Sequence, residues 1–395
     1  MIIFGSPHRL HLRLYSMAWT PVRETLDAWP ALPIVVWDND HEKWGGDNII
    51  AALEHKDHIC EPPSWPRRDI VQVQPDSFLG GYAPRLRKLS LDRIPFPALP
   101  KLLLSAAQLV DLSLWSVSDS GYISPEALAT CLSMLTRLEK LSISLQYCPD
   151  RRRRRLPLQT RVLLPVLTEL SFYGVSEYLE DLVARLDTPL LSKLSASFFL
   201  QLIIDIPQLA QFIRRTPKLK THNEACVDFS DFNASVQLSQ TSDGGLSFAI
   251  PFSHSDWKLS SLAQICNSLF FHQALIPAVE RLYIQSFILS YWQDDIESIQ
   301  WLELLSPFSS VMDLYISLEF AARIAPALQE LIEEGTTEVL PALQTLFLDE
   351  TSLSELVQEN IGKFVSARKL SGQPITVSRW ERKRSDLDLD KGLDP

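Results

Sequence analysis

Leu138-Glu139-Lys140-Leu141-Ser142-Ile143 and Leu167-Thr168-Glu169-Leu170-Ser171-Phe172 carry apolar residues at their first, fourth and sixth places. The last two flank a single residue, which is the period of a short strand with one buried face. The pattern repeats upstream as Leu109/Leu112/Leu114 and Leu86/Leu89/Leu91. Downstream a weaker copy is Leu191/Leu194/Ala196, followed by Val279/Leu282/Ile284, Val311/Leu314/Ile316 and Leu343/Leu346/Leu348. Starts are spaced 23, 29, 29 and 24 residues apart in the first group and 32 and 32 in the last. Self-similarity at such periods is the sequence signature of a repeat architecture.

Helix signals fill the intervals. Ser124-Pro125-Glu126 offers a capping serine, a proline at the first helical position and an acid in the first turn. Ser176 to Leu182 opens another helix with capping-box-like spacing, although Leu179 stands where the ideal Glu belongs. Residues 207–215, 260–271, 294–305, 321–334 and 353–370 read as further amphipathic helices. Strand–helix–strand units of one handedness predict an α/β, leucine-rich-repeat-like solenoid. Its curved parallel sheet lies on the concave side and its helices on the convex side. Residues 1–60 read as N-terminal repeats, with strands at Leu10/Leu12/Leu14, Ile34–Trp37 and from His58. Residues 61–77, with Pro62, Pro63 and Pro66, read as an irregular break, because proline removes a donor the sheet needs. Central repeats follow over 78–217 and a β-hairpin insertion over 218–258, the latter from Val227/Phe229, Val236/Leu238 and Leu246/Phe248/Ile250. The C-terminal repeats and a closing strand at Ile375/Val377 occupy 259–380, and 381–395 reads as a disordered tail.

The bulk composition narrows the function. The chain has 395 residues, a net charge of −11 and 22% charged residues. An acidic balance argues against general nucleic-acid binding, which needs a basic face to displace counterions. The five scattered cysteines (Cys60, Cys131, Cys148, Cys226, Cys266) form no C-x-x-C and predict reduced thiols. The first residues lack a signal-peptide core, and the most apolar stretch, 194–206, is too short to span a bilayer. The expectation is therefore a monomer in the cytoplasm or nucleus, without membrane or nucleic-acid partners.

Outward strand positions point to binding. The residue before the second apolar place is Lys88, Asp111, Lys140, Glu169, Lys193, then Arg281 and Asp313, alternating in sign through the central group. Opposite charges on adjacent strands favour register. The residue between the last two apolar places is Ser90, Ser113, Ser142, Ser171, Ser195, then Tyr283, Tyr315 and Phe347. Trp115 and Tyr173 lie one residue past the pattern. Exposed aromatics on a rigid sheet are the material of binding hot spots, so Trp115, Tyr173, Tyr283, Tyr315 and Phe347 are the candidate partner-binding residues. Cover by a loop or by the C-terminal tail is the alternative reading of the stripe.

No nucleophile elbow, Walker loop, metalloprotease or dinucleotide motif occurs. Asp38–Glu42 resembles the start of a calcium loop but has Lys43 at the glycine place and Ile49 at the closing-acid place. His41, His55, His58 and Cys60 match no zinc spacing. No catalytic, cofactor or metal residues are assigned. Arg151, Arg152, Arg153, Arg154 and Arg155 form a basic run that reads as a solvated loop, with a contact to an acidic partner or a nuclear-import signal as functional alternatives.

Several strings resemble those of fungal, mushroom-type F-box proteins with leucine-rich repeats: 4–10 from Phe4, 47–55 from Asp47, 163–170 from Leu163, 176–182 from Ser176, 340–343 from Leu340 and 377–380 from Val377. The resemblance covers nearly the whole chain. It implies that the repeats present a target protein, while an N-terminal F-box docks on the adaptor of a cullin–RING ubiquitin ligase. Phe4-Gly5-Ser6-Pro7 resembles the segment after an F-box, so the expectation is a chain lacking that module and not recruiting the adaptor. The function expected is a non-catalytic protein-binding scaffold, akin to the substrate-recognition half of an F-box receptor. A truncated or degenerate gene product without function, and an enzyme with an unrecognised site, stand as alternatives.

Overall fold

A computed structural model describes residues 2–4, 11–15, 34–37, 59–61, 82–92, 98–117, 121–145, 161–199, 204–220, 222–230, 233–239, 245–251, 258–271, 279–286, 298–333, 339–349 and 355–380. The break after Glu61, the Arg151–Arg155 run and the tail beyond Trp380 lie outside the described residues. The chain divides into two compact units, one of residues 1–200 with 211–219 and one of 201–210 with 220–395. Both are mixed α/β with mostly parallel sheets that do not close into barrels.

In the first unit, β1 (Ile2–Phe4) pairs antiparallel with β2 (His11–Tyr15), and β3 (Ile34–Trp37) and β4 (Ile59–Glu61) follow in parallel. The larger sheet is all parallel. It runs β5 (Lys88–Asp92), β6 (Asp111–Val117), β7 (Lys140–Leu145), then β9 (Glu169–Gly174) and β11 (Lys193–Phe198). Two short strands, β8 (Val162–Leu163) and β10 (Leu186–Asp187), form a separate parallel pair. Register places Leu89, Leu112, Leu141, Leu170 and Leu194 side by side, all buried. Each such side chain contributes about 1.5–3 kcal/mol by leaving water.

Two backbone features recur along the pattern. The first apolar residue closes a turn by donating its N–H to the carbonyl three residues earlier: Leu109 to Ala106, Leu138 to Leu135, Leu167 to Leu164, Val311 to Phe308 and Leu343 to Leu340 among others. The carbonyl next along then accepts two N–H groups from the neighbouring copy. Val110 accepts from Glu139 and Lys140, Glu139 from Thr168 and Glu169, and Met312 from Gln344 and Thr345.

Helices cover the apolar side. These are α1 (Leu99–Ser105), α2 (Pro125–Leu132), α3 (Ser176–Val183) and α4 (Pro207–Arg215). Ser124 caps α2 as expected, its hydroxyl accepting from the Ala127 N–H at 3.2 Å with Pro125 opening the helix. Ser176 does not cap α3. Only Val175 separates β9 from α3, so Val175 is the flanking residue and Ser176 is already helical and buried. The α1 helix was not anticipated, because Pro95, Pro97 and Pro100 mask a seven-residue element that buries Leu99, Leu102 and Leu103.

The second unit carries β12 (Glu224–Phe229), β13 (Asn233–Ser239), β14 (Gly245–Pro251), β15 (Arg281–Ser286), β16 (Asp313–Ile316), β17 (Thr345–Asp349) and β18 (Thr376–Trp380). The expected hairpin is β13–β14, turning into Gly245, whose φ of +151° and approach to the Leu238 carbonyl leave no room for a Cβ. The Val227/Phe229 strand does more than join that excursion. It pairs antiparallel with β13 and parallel with β15, in register with the repeated strands. Packed beneath are α5 (Lys258–Phe271), α6 (Ser298–Leu305), α7 (Leu318–Glu333) and α8 (Glu355–Leu370). Trp301 of α6 is fully buried against Phe229 (6.1 Å) and Phe320 (5.7 Å).

Arginines in the last helical turn tie neighbouring copies together. In the first unit Arg215 donates to the carbonyls of Val183 and Leu186 (2.7 Å for the latter) and lies over Phe212. Burial pulls its guanidinium down to about 10. In the second, Arg368 donates to the Leu340 carbonyl at 2.7 Å and to Gln373 at 2.8 Å. Leu340 is left-handed (φ 51°), so the arginine holds a turn that a non-glycine residue adopts at a cost.

Gly174 gives a direct test of this packing. A Cβ there would lie 2.7 Å from the Phe172 ring, which is buried and stacked on Tyr178, itself anchored by its hydroxyl to the Ile123 carbonyl at 2.9 Å. Gly174→Ala is expected to destabilise the chain by about 1–3 kcal/mol in urea unfolding. Adding Phe172→Leu should recover part of the loss, and an unchanged midpoint in Gly174→Ala would contradict the packing.

Candidate partner-binding faces

Side chains alternate along each strand, so the face opposite the helices is built from the residues between the buried ones. In the first unit register aligns Lys88, Asp111, Lys140, Glu169 and Lys193 in one row. The Lys140–Glu169 pair closes at 3.0 Å with both side chains well exposed, a geometry worth roughly 0.2–1 kcal/mol. Ser90, Ser113, Ser142, Ser171 and Ser195 form the next row, and Ser113 donates to Asp111 at 3.3 Å.

Trp115 is 45% exposed and directly precedes Ser116, whose φ of 52° marks the irregularity where β6 loses register with β7. Tyr173 is 39% exposed and packs on Phe199 at 5.0 Å, a partner that the sequence pattern did not indicate. Among the described residues Trp115 has no ring neighbour. These two aromatics make no ring contact with each other.

The second unit is different. Tyr283, Tyr315 and Phe347 occupy the same register position on β15, β16 and β17, and their rings stack at 4.4 and 4.3 Å with planes 16° and 5° apart. They form a continuous half-exposed ladder. Cys226 and Gln237 extend the row on one side and Ser378 on the other. Trp380 is the residue that the sequence reading missed. It lies two positions after Ser378 on the closing strand, hence on the same face, and its indole leans across the ladder, 5.6 Å from Tyr315 and 6.0 Å from Tyr283. The signal was present, since Trp380 keeps the outward parity of a strand anticipated only around Ile375/Val377. Trp380 belongs to the closing strand and not to a loop or to the tail, which lies outside the described residues.

Burial, then the field of Glu224 and the neighbouring Tyr315, push the Tyr283 phenol up to about 12. Tyr315 is raised for the same leading reason, burial, followed by Asp313. Arg281 pairs with Glu224 at 2.8 Å in the row beside the ladder. The buried thiol of Cys266 is held at about 12 by burial, which makes it a core residue and not a nucleophile. Among the described residues no group of three or more His, Cys, Asp or Glu is placed to hold a metal, and no helix is long and apolar enough to cross a membrane. Of the histidines weighed as zinc ligands, His41, His55 and His58 lie outside the described residues.

No protein-family model matches the chain, and no curated protein matches it. Among solved structures, a Bacteroides fragilis protein determined by the Northeast Structural Genomics Consortium is similar over 75% of this chain and 66% of that one, just under two thirds of its length. The identity is 11% and the TM-score 0.28.

The raised phenol makes a pH prediction. Unfolded tyrosine ionises near 10 and folded Tyr283 near 12, so the protonated ring's contribution is complete below pH 10 and is lost as pH rises toward 12. Denaturation midpoints of the wild type are expected to fall across that window, more steeply than those of Tyr283→Phe. Equal slopes would show that Tyr283 ionises as freely in the folded chain as in the unfolded one.

Proposed function

We propose that this chain is a non-catalytic, protein-binding leucine-rich-repeat solenoid, akin to the target-recognition half of an F-box ubiquitin-ligase receptor. The observation that carries the binding reading is the Tyr283–Tyr315–Phe347 ladder with Trp380 laid across it. Four aromatic side chains gathered on the outward side of one sheet exceed what solubility favours, and large aromatic patches on a rigid base mark interaction sites. The recurring turn and the doubly accepting carbonyl at most copies support the solenoid reading, because a repeat that only contacts its neighbours reuses the same joint. The ubiquitin-ligase kinship rests on the local strings alone. The target is a protein met in the cytoplasm or nucleus.

Truncating the three rungs tests the binding reading. Hot-spot aromatics contribute about 2 kcal/mol or more each, so Tyr283→Ala/Tyr315→Ala/Phe347→Ala should weaken a captured partner by a factor of about 10³ or more. The measurement is affinity capture from the native organism, with the identified partner then titrated against wild type and variant. The variant's far-ultraviolet circular dichroism serves as the control for folding. A correctly folded variant that holds every captured partner as tightly as the wild type would sink the reading.

A further inference from the structure

The two outward faces differ in charge as well as in ring content. In the first unit's sheet, lysines and acids alternate and neither sign prevails. Around the aromatic ladder the outward strand positions among the described residues hold Glu224, Asp228, Asp313 and Asp349 against the single cation Arg281. Arg281 is committed to Glu224 at 2.8 Å, and Asp228 is only 7% exposed. Asp313 and Asp349 remain, and among the described residues neither has an ion-pair partner.

Their placement is specific. Asp313 lies two positions before Tyr315, and Asp349 two positions after Phe347, the neighbouring rung. Four residues of strand rise and one strand spacing put the two carboxylates roughly 14 Å apart with the rings between them. In an extended peptide, side chains at i and i+4 point the same way about 13 Å apart, and the side chain at i+2 falls midway on that face. Asp349 is also the register partner of Trp380, so a cation reaching Asp349 lies beside an indole. A guanidinium gains from both.

We infer that the partner segment read by this face is extended and basic, with two arginine or lysine side chains four residues apart around an apolar one. The two cations meet Asp313 and the Asp349–Trp380 pair, and the apolar residue sits on the rims of Tyr315 and Phe347. The inference rests on the protein-binding reading above and adds the chemistry of the partner. An acidic segment or a nucleic-acid phosphate would face uncompensated carboxylates at both ends.

The test uses the full chain and three labelled peptides in fluorescence anisotropy at low salt. The first carries two arginines four positions apart around a central leucine, the second has the arginines adjacent, and the third replaces them with glutamates. The spaced basic peptide is expected to bind about 10-fold or more tighter than either of the others, with the margin over the glutamate peptide shrinking as salt is added. Asp313→Asn and Asp349→Asn should each weaken it by about 3- to 10-fold, and Trp380→Ala by more. Both aspartates are on the outward side of the sheet, so unchanged unfolding midpoints keep these variants interpretable.

Equal binding of the glutamate peptide, or indifference to both Asp→Asn changes, overturns the charge argument. Equal binding of the adjacent-arginine isomer overturns the spacing. A gain in affinity on replacing Arg382, Lys383 and Arg384 with glutamine identifies the chain's own basic stretch as the occupant and overturns an external one. If the triple-alanine variant loses its captured partner while no basic preference is found, only the present inference fails. If capture survives that variant, the underlying reading fails with it.

Discussion

A backbone carbonyl that accepts two N–H groups from the adjacent copy is the joint on which both units depend. Arg87, Val110, Glu139, Thr168, Asn223, Glu280 and Met312 each serve in this way. The bond leaves no freedom to slip by one residue, and such a slip would turn every buried leucine outward. Everything else about the sheets follows from the register it sets. Inside, like positions stack into continuous apolar rows that α1–α8 cover. Outside, the residues between them line up into rows of serine, of charge or of aromatic rings, with no contact needed to hold them there.

That same joint explains what could be read from residues alone. A one–four–six apolar pattern names the turn residue and the two buried strand residues together, so strand position, face and register follow from it. The serine row and the Tyr283–Tyr315–Phe347 row were therefore legible in full. Features set by local backbone geometry were not. Whether Ser176 or Val175 flanks α3 depends on how tightly β9 runs into the helix at Gly174, a distance no side-chain pattern encodes. The α1 helix is short and proline-flanked, which removes its periodic signal. The pairing of β12 with β15 required knowing that a chain could leave the ladder for two antiparallel strands and rejoin it at the next repeated strand. Trp380 was hidden for another reason. Its strand has buried Ile375 just before its start but exposed Val377, so the apolar pattern that marks the other strands fades there.

The aromatic ladder is ordered by its own stacking. Parallel rings at 4.3–4.4 Å cover one another's faces and leave the ladder half-exposed. Stacked in this way, the rings have already surrendered their rotamer freedom to the sheet, so little remains to be lost when a partner arrives. The raised Tyr283 phenol is the electrostatic counterpart: the ring is dry enough to resist ionisation, and Glu224 and Tyr315 reinforce the effect.

Trp380 complicates this economy in a useful way. Its indole lies tilted over Tyr315 and Tyr283 at 69° and 53°, not as a fourth rung, so it shields the ladder's rim while its own flank stays accessible. It stands on β18, which among the described residues pairs on one side only. A side chain on an edge strand has a sheet neighbour on one side only, unlike the mid-sheet rungs. In the proposed binding role the three rungs would act as a floor and Trp380 as a wall, and Asp349 stands in register with Trp380. For the partner proposed above, selectivity would belong to the edge, where the Asp349 carboxylate stands, and affinity to the ladder, where stacked apolar surface is concentrated.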